Sequence, residues 1–187
     1  TLITLADGTQ KAIENVTASD QILAWDFFKG EYTAKEIALL VDHGTDEYNI
    51  VNMTFSDGTI LRTIAEHGLF DYDLNKFIYV TADNCKEYIG HRFVKYADDG
   101  NYSIVTMTDA YVTTEETNAY SITSVGTSNA FASGLLTVAP PEDFYNWIEM
   151  DGTLHYDVEQ FANDVETYGL YTYEDFADYV TYEQFVD

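Results

Sequence analysis

One cysteine, Cys85, excludes an internal disulfide and carries no information about redox compartment. It sits in ADNCKEY between two strand-like runs, where a free thiol reads as a small packed residue rather than a nucleophile. Basic residues are equally scarce: eight Lys and Arg face 33 Asp and Glu, for a formal charge of −25. A field of that sign repels phosphate backbones and anionic headgroups, which excludes nucleic acid and membrane surfaces as natural partners. No apolar stretch approaches the roughly 18 residues of a membrane-spanning helix, so membrane insertion is not expected either. High acidity with few lysines is compatible with an extracellular or bacterial cell-surface setting. The chain opens directly in a strand-like run, TLITL, as a trimmed or processed product would.

Proline occurs only as the pair Pro140-Pro141, and the composition changes across it. All eight basic residues and 20 of the acidic ones precede the pair; 13 acidic residues and 12 of the 29 aromatics follow it. Adjacent prolines can continue neither a ladder nor a helix interior, so the boundary falls there: 1–139 as one domain, 140–187 as an acidic, aromatic-rich extension. Within 1–139, alternating runs such as QILAW, YNIVNMTF, KFIYV and YSIVTMT are rich in β-formers. Asp7-Gly8, Asp57-Gly58 and Asp99-Gly100 punctuate them, and Asp-Gly between apolar runs predicts type I′ hairpins. ITLADGTQ and MTFSDGTI look like one hairpin used twice. The extension reads as two helices packing on the β domain, over 157–168 and 173–186, with Asp157 and Thr172 as caps and Gly169 as a stop.

The opening segment TLITLADGTQKAIENVTASDQILAWD is similar to the first block of the Hint (Hedgehog/intein) family. Thr1, Ile3, Asp7, Gly8, Lys11, Ile13, Glu14, Val16, Asp20 and Ile22 carry the match, and Ser19 stands where the family has Gly. LRTIAEHGLFDYDLNKFIYV resembles the second block, centred on His67, and AYSITSVGTSNAFASGLLTV the closing block. The blocks occur in order across nearly all of 1–139. They imply a mostly-β, horseshoe-shaped stack of hairpins, with the α-helical extension behind it.

The resemblance also implies a chemistry, self-processing by acyl transfer, whose substrate is the protein's own upstream polypeptide and which needs no cofactor or metal. A Cys or Ser at the domain's first position, about four residues before Thr1 in a Cys-x-x-Gly lead-in, attacks the preceding peptide carbonyl. The second-block His, here His67, distorts the amide and helps protonate its nitrogen, aided by a Thr. That Thr stands three residues before the His; here the position holds Ile64, and Thr63 is one place off. In an unbroken strand that slip turns the hydroxyl of Thr63 to the opposite face, unless a bulge intervenes. The family's closing-block Asp and His fall on Ser121 and Asn129, and its terminal His-Asn on Val138-Ala139. Without Asn there is no side-chain cyclisation, so complete splicing is not expected.

The other candidates have plainer readings. His91 reads as a structural residue bonded to a nearby carbonyl or carboxylate, and His43 and His155 as surface residues without evident partners. Asp71-Tyr72-Asp73-Leu74-Asn75 opens like a calcium loop but lacks its Gly and distal Glu, and reads as a turn. Two functions of different kinds therefore stand: a domain that cleaves its own upstream junction, and a non-catalytic scaffold or interaction module of a larger bacterial surface protein. A carbohydrate-binding β domain is a third, resting only on aromatic content and acidity.

Overall fold

The structure is a computed structural model and describes residues 1–27, 29–65, 67–125, 129–138, 146–148 and 154–156. The expected helices of the extension lie outside the described residues. Strands dominate what is described: β1 (Leu2–Thr4), β2 (Gln10–Ala12), β3 (Gln21–Asp26), β4 (Glu31–Phe55), β5 (Ile60–Ile64), β6 (His67–Asp71) and β7 (Lys76–Val80). They continue as β8 (Arg92–Tyr96), β9 (Tyr102–Ser124), β10 (Asn129–Ala132), β11 (Leu135–Val138), β12 (Asn146–Ile148) and β13 (Leu154–Tyr156). Short 3-10 helices span Ile13–Asn15 and Cys85–Tyr88.

Strands β1–β11 form one antiparallel sheet in the order β2-β1-β10-β11-β6-β8-β9-β4-β3, with β5 beside β4 and β7 beside β6. Strands β12 and β13 pair as a separate hairpin, an element of the extension that the sequence reading did not anticipate. The two long strands join the parts of the sheet. β4 pairs first with β3, from Glu31 to Glu36, then with β9 from Ile37 onward, and β9 begins its own course against β8. Their shared ladder is interrupted by irregularities between Ile37 and Leu39, Asp42 and Gly44, and Thr54 and Phe55. Bulges of this kind bend strands and raise local twist, which lets so long a pair curve.

The turns correct one expectation. Leu5 N–H donates to Thr9 O at 2.8 Å and Gly8 N–H to Leu5 O at 2.9 Å; Phe55, Gly58 and Thr59 repeat the pattern at 2.9 Å each. Gly8 and Gly58 have φ of 83° and 86°, but Asp7 and Asp57 keep negative φ. These are type I turns followed by a glycine bulge, not type I′ turns. The carboxylates explain the choice: Asp7 Oδ1 accepts from Thr9 N–H at 2.9 Å and Asp57 Oδ1 from Thr59 N–H at 3.0 Å, holding each Asp in the right-handed region. A side chain at Gly8 would also meet the Tyr96 hydroxyl. The likeness of the two segments thus extends to their hydrogen bonds.

The core has two parts. An aliphatic cluster runs through Ile3, Ile22, Val51, Met53, Leu61, Leu69, Phe93, Met107 and Leu135. An aromatic cluster gathers Trp25, Phe27, Phe70, Phe77 and Phe131, with Trp25 edge-on to Tyr32 and Tyr102 at 5.2 and 5.3 Å. Burying side chains of this size contributes about 1.5–3 kcal/mol each, so the core carries the fold. Cys85 is 2% exposed and packs in the aliphatic cluster, as the sequence implied. Of the opening-block residues, Lys11 and Asp20 are an ion pair at 2.8 Å, and Asp20 also accepts from Thr17 N–H at 2.7 Å, tying β2 to the turn before β3.

Candidate active-site cleft

A cleft of about 670 Å³ opens where β1, β5, β6, β9 and the end of β11 converge. Thr1, Thr63, His67, Ser121 and Val138 all contribute to its lining. Residues separated by more than 130 positions are gathered because β11 pairs with β6, Thr137 opposite Leu69, while β10 pairs with β1, Ala132 opposite Ile3. Gly68 makes the first of these contacts possible: a Cβ there would collide with the Val138 side chain.

Thr1 is tied to the cleft wall. Its hydroxyl donates to Arg62 O at 3.1 Å, one residue from Thr63, and its carbonyl accepts from Ile13 N–H at 2.9 Å. Arg62 is itself held by Asn52 Oδ1 at 3.0 Å and Glu115 Oε2 at 2.5 Å, and Glu115 accepts from the Thr113 hydroxyl at 2.6 Å.

His67 opens β6 opposite Val80 and is half-buried. Part of its surface faces the cleft, while the enclosing protein strips enough water to lower its pKa from 6.5 to about 4. The imidazole is consequently neutral at neutral pH. Thr63 and Ile64 both line the cleft with it. The two are neighbours on β5, and both border the cleft although alternation sends successive strand side chains to opposite faces. Thr63 Oγ1 is fully buried and has no hydrogen-bond partner among the described residues. Burying such a hydroxyl without a partner costs roughly 1–3 kcal/mol.

The closing-block positions divide. Ser121 faces the cleft and is exposed. Asn129 is instead 1% exposed and clamps the backbone of β3, its Oδ1 accepting from Trp25 N–H at 2.7 Å and its Nδ2 donating to Trp25 O at 3.0 Å. It fastens β10 to β3 and does not line the cleft. Val138 is the last cleft residue of β11; Ala139 lies outside the described residues.

His91 Nδ1–H donates to Asp71 Oδ2 at 2.6 Å, matching the structural reading. Asp71-Tyr72-Asp73-Leu74-Asn75 is the β6–β7 turn, with Asp71 Oδ1 accepting from Leu74 N–H at 3.0 Å. Asp71, Asp73 and His91 could bring ligand atoms within 4.8 Å of one another, but Asp73 is already engaged by Arg92 through Nε at 2.7 Å and N–H at 2.8 Å. A guanidinium in that place makes the cluster a clamp on the turn. His43 is exposed, as the sequence reading had it, but it has a partner that reading did not see: its Nε2 lies 2.9 Å from Ser121 Oγ. No feature of DHGTDEY marks that partner, because it depends on where β9 passes.

Strand order, long paired strands and the convergence of both ends of the domain on one cleft define an intein-like, Hint-type fold. A variant of the Ssp DnaB mini-intein is similar to this chain with a TM-score of 0.63 and 14% identity, over 76% of this chain and 92% of that one. A DnaB intein from Synechocystis sp. gives 0.61 and 15%, over 74% and 93%. A bacterial intein-like domain from Clostridium thermocellum gives 0.59 and 17%, over 73% and 93%. No protein-family model and no curated protein matches the sequence.

Proposed function

We propose that the chain is a Hint-type self-processing domain that acts on the peptide bond leading into its own first strand, by N-terminal acyl shift and cleavage, without splicing. The observation that supports this reading is the shared cleft, which Thr1, Thr63 and His67 all line, with the Thr63 hydroxyl unpartnered and the His67 imidazole neutral. An upstream Cys or Ser attacks the preceding carbonyl, the C–N bond breaks, and the freed amine takes up the proton while an ester or thioester forms. His67, neutral, takes the proton of the attacking thiol or hydroxyl on its free ring nitrogen and passes a proton to the departing amide nitrogen. Thr63 supplies a second hydrogen bond to the reacting group, which satisfies its buried hydroxyl. Water or an external nucleophile then releases the upstream segment. Ala139, which stands at the position of the family's terminal Asn, offers no amide for cyclisation, which supports cleavage without ligation. Residues 140–187 belong to this reading as an acidic, mainly helical extension packing on the β domain.

The test is a chain extended upstream through a Cys or Ser at the junction, incubated with thiol or hydroxylamine and followed by mass spectrometry. Release of the upstream segment, lost in His67→Ala, is the expected result. Equal cleavage with His67→Ala, or none at all with the nucleophile present, overturns it. The second reading, a non-catalytic scaffold in a larger bacterial surface protein, draws support from Asn129, whose side chain holds β3 through two hydrogen bonds to the Trp25 backbone. It becomes the better account if the natural upstream residues lack a nucleophile.

A further inference from the structure

His43 and Ser121 form a pair that the chemistry above does not use. Ser121 sits on β9 directly opposite Val41, and His43 is two residues farther along β4. Between Asp42, opposite Tyr120, and Gly44, opposite Ala119, the ladder slips by one residue. His43 is the extra residue of that bulge. Gly44 takes φ of 75°, and its N–H donates to Asp42 Oδ1 at 2.8 Å, which holds the irregularity in place. Bulges re-aim side chains, and this one sets His43 Nε2 2.9 Å from Ser121 Oγ. Both side chains are exposed, and Ser121 also lines the cleft that holds Thr1 and His67. A hydroxyl within hydrogen-bond reach of an imidazole, at the edge of a cleft, is the arrangement of an activated nucleophile.

We propose that Ser121 is an acyl-accepting nucleophile and His43 its general base, so that the cleft can take up an acyl group on its own side chain. With the imidazole proton on Nδ1, the Ser121 hydroxyl donates to Nε2. Ser121 Oγ attacks an ester or thioester carbonyl while Nε2 takes the hydroxyl proton. The C–O or C–S bond to the leaving group breaks, and the leaving alcohol or thiol receives that proton. An acyl-Ser121 ester remains. Water, deprotonated by His43, then attacks it and returns the hydrogen to Ser121 Oγ, releasing a carboxylic acid. The natural acyl donor would be the ester or thioester formed at the Thr1 junction, so the physiological role rests on the self-cleavage reading; the reactivity of the pair does not.

The test uses the 187-residue chain, which contains no upstream junction, so either idea can fail without the other. The protein is treated with a fluorophosphonate, and separately with p-nitrophenyl acetate, and adducts are mapped by peptide mass spectrometry. The expected result is one adduct, on Ser121, abolished in Ser121→Ala and formed at least tenfold more slowly in His43→Gln. Circular dichroism and the melting midpoint of both variants should match those of the parent, since both side chains are exposed. No adduct above the Ser121→Ala background, or a rate unchanged by His43→Gln, overturns the proposal.

Discussion

Mild acid should weaken this protein through His67, and the size of the effect follows from its place in the cleft. Burial lowers its pKa from 6.5 to about 4, so the unfolded chain binds a proton that the folded chain refuses. The stability tied to the neutral ring is present above about pH 6.5 and is lost progressively as pH falls toward 4. At about 1.4 kcal/mol per pKa unit, the fall between pH 7 and pH 5 amounts to about 2 kcal/mol for a fully enclosed ring. His67 keeps a face on the cleft, where solvent relieves part of the penalty, so about 1–2 kcal/mol is the expected loss. The assay is urea unfolding at pH 7, 6 and 5 for the parent chain and His67→Gln. Only the difference between their pH profiles matters, because carboxylates titrate in both and acid also relieves the repulsion of a chain at −25. The parent should lose stability more steeply than the variant. Parallel profiles, or a His67 NMR resonance titrating near 6.5, would refute the reasoning.

Three further outcomes are expected. Thr63→Val removes an unpartnered buried hydroxyl at nearly constant volume, so folding stability should hold or rise by up to about 1 kcal/mol in urea unfolding; junction cleavage in an upstream-extended chain should nonetheless fall at least tenfold. Asn129→Ala strips both hydrogen bonds from the Trp25 backbone and should cost about 2–3 kcal/mol, read as a lower urea midpoint together with a change in tryptophan fluorescence. Gly68→Ala pushes a methyl into Val138 and should destabilise by about 1–3 kcal/mol, measured the same way, with faster amide exchange along β11.

Much was legible in the chain itself. Alternating apolar runs announce β1, β3, β7 and parts of β4 and β9, and the Asp-Gly pairs mark the turns at residues 7–8, 57–58 and 99–100, because those signals are local in backbone and side chain. The turn type was not legible: it was decided by Asp7 and Asp57 bonding their own downstream amides. Cys85 and His91 follow ordinary burial and pairing, and their readings hold.

The site was legible only as residue types in order. His67 could be singled out, but its neutral state comes from strands far away in sequence that close over it. Alternation along a strand reads as turning Thr63 away from the face of Ile64, yet both border the cleft, and nothing in TIAEH marks that. Asn129 and Ser121 look alike as replacements, yet one clamps Trp25 and the other meets His43. The sequence by itself determined a β chain of hairpins with its blocks in Hint order, since periodicity and turn chemistry act over a few residues. Only the tertiary structure decided which side chains share the cleft, because strand pairing across more than 100 positions, and one bulge at His43, set where each of them points.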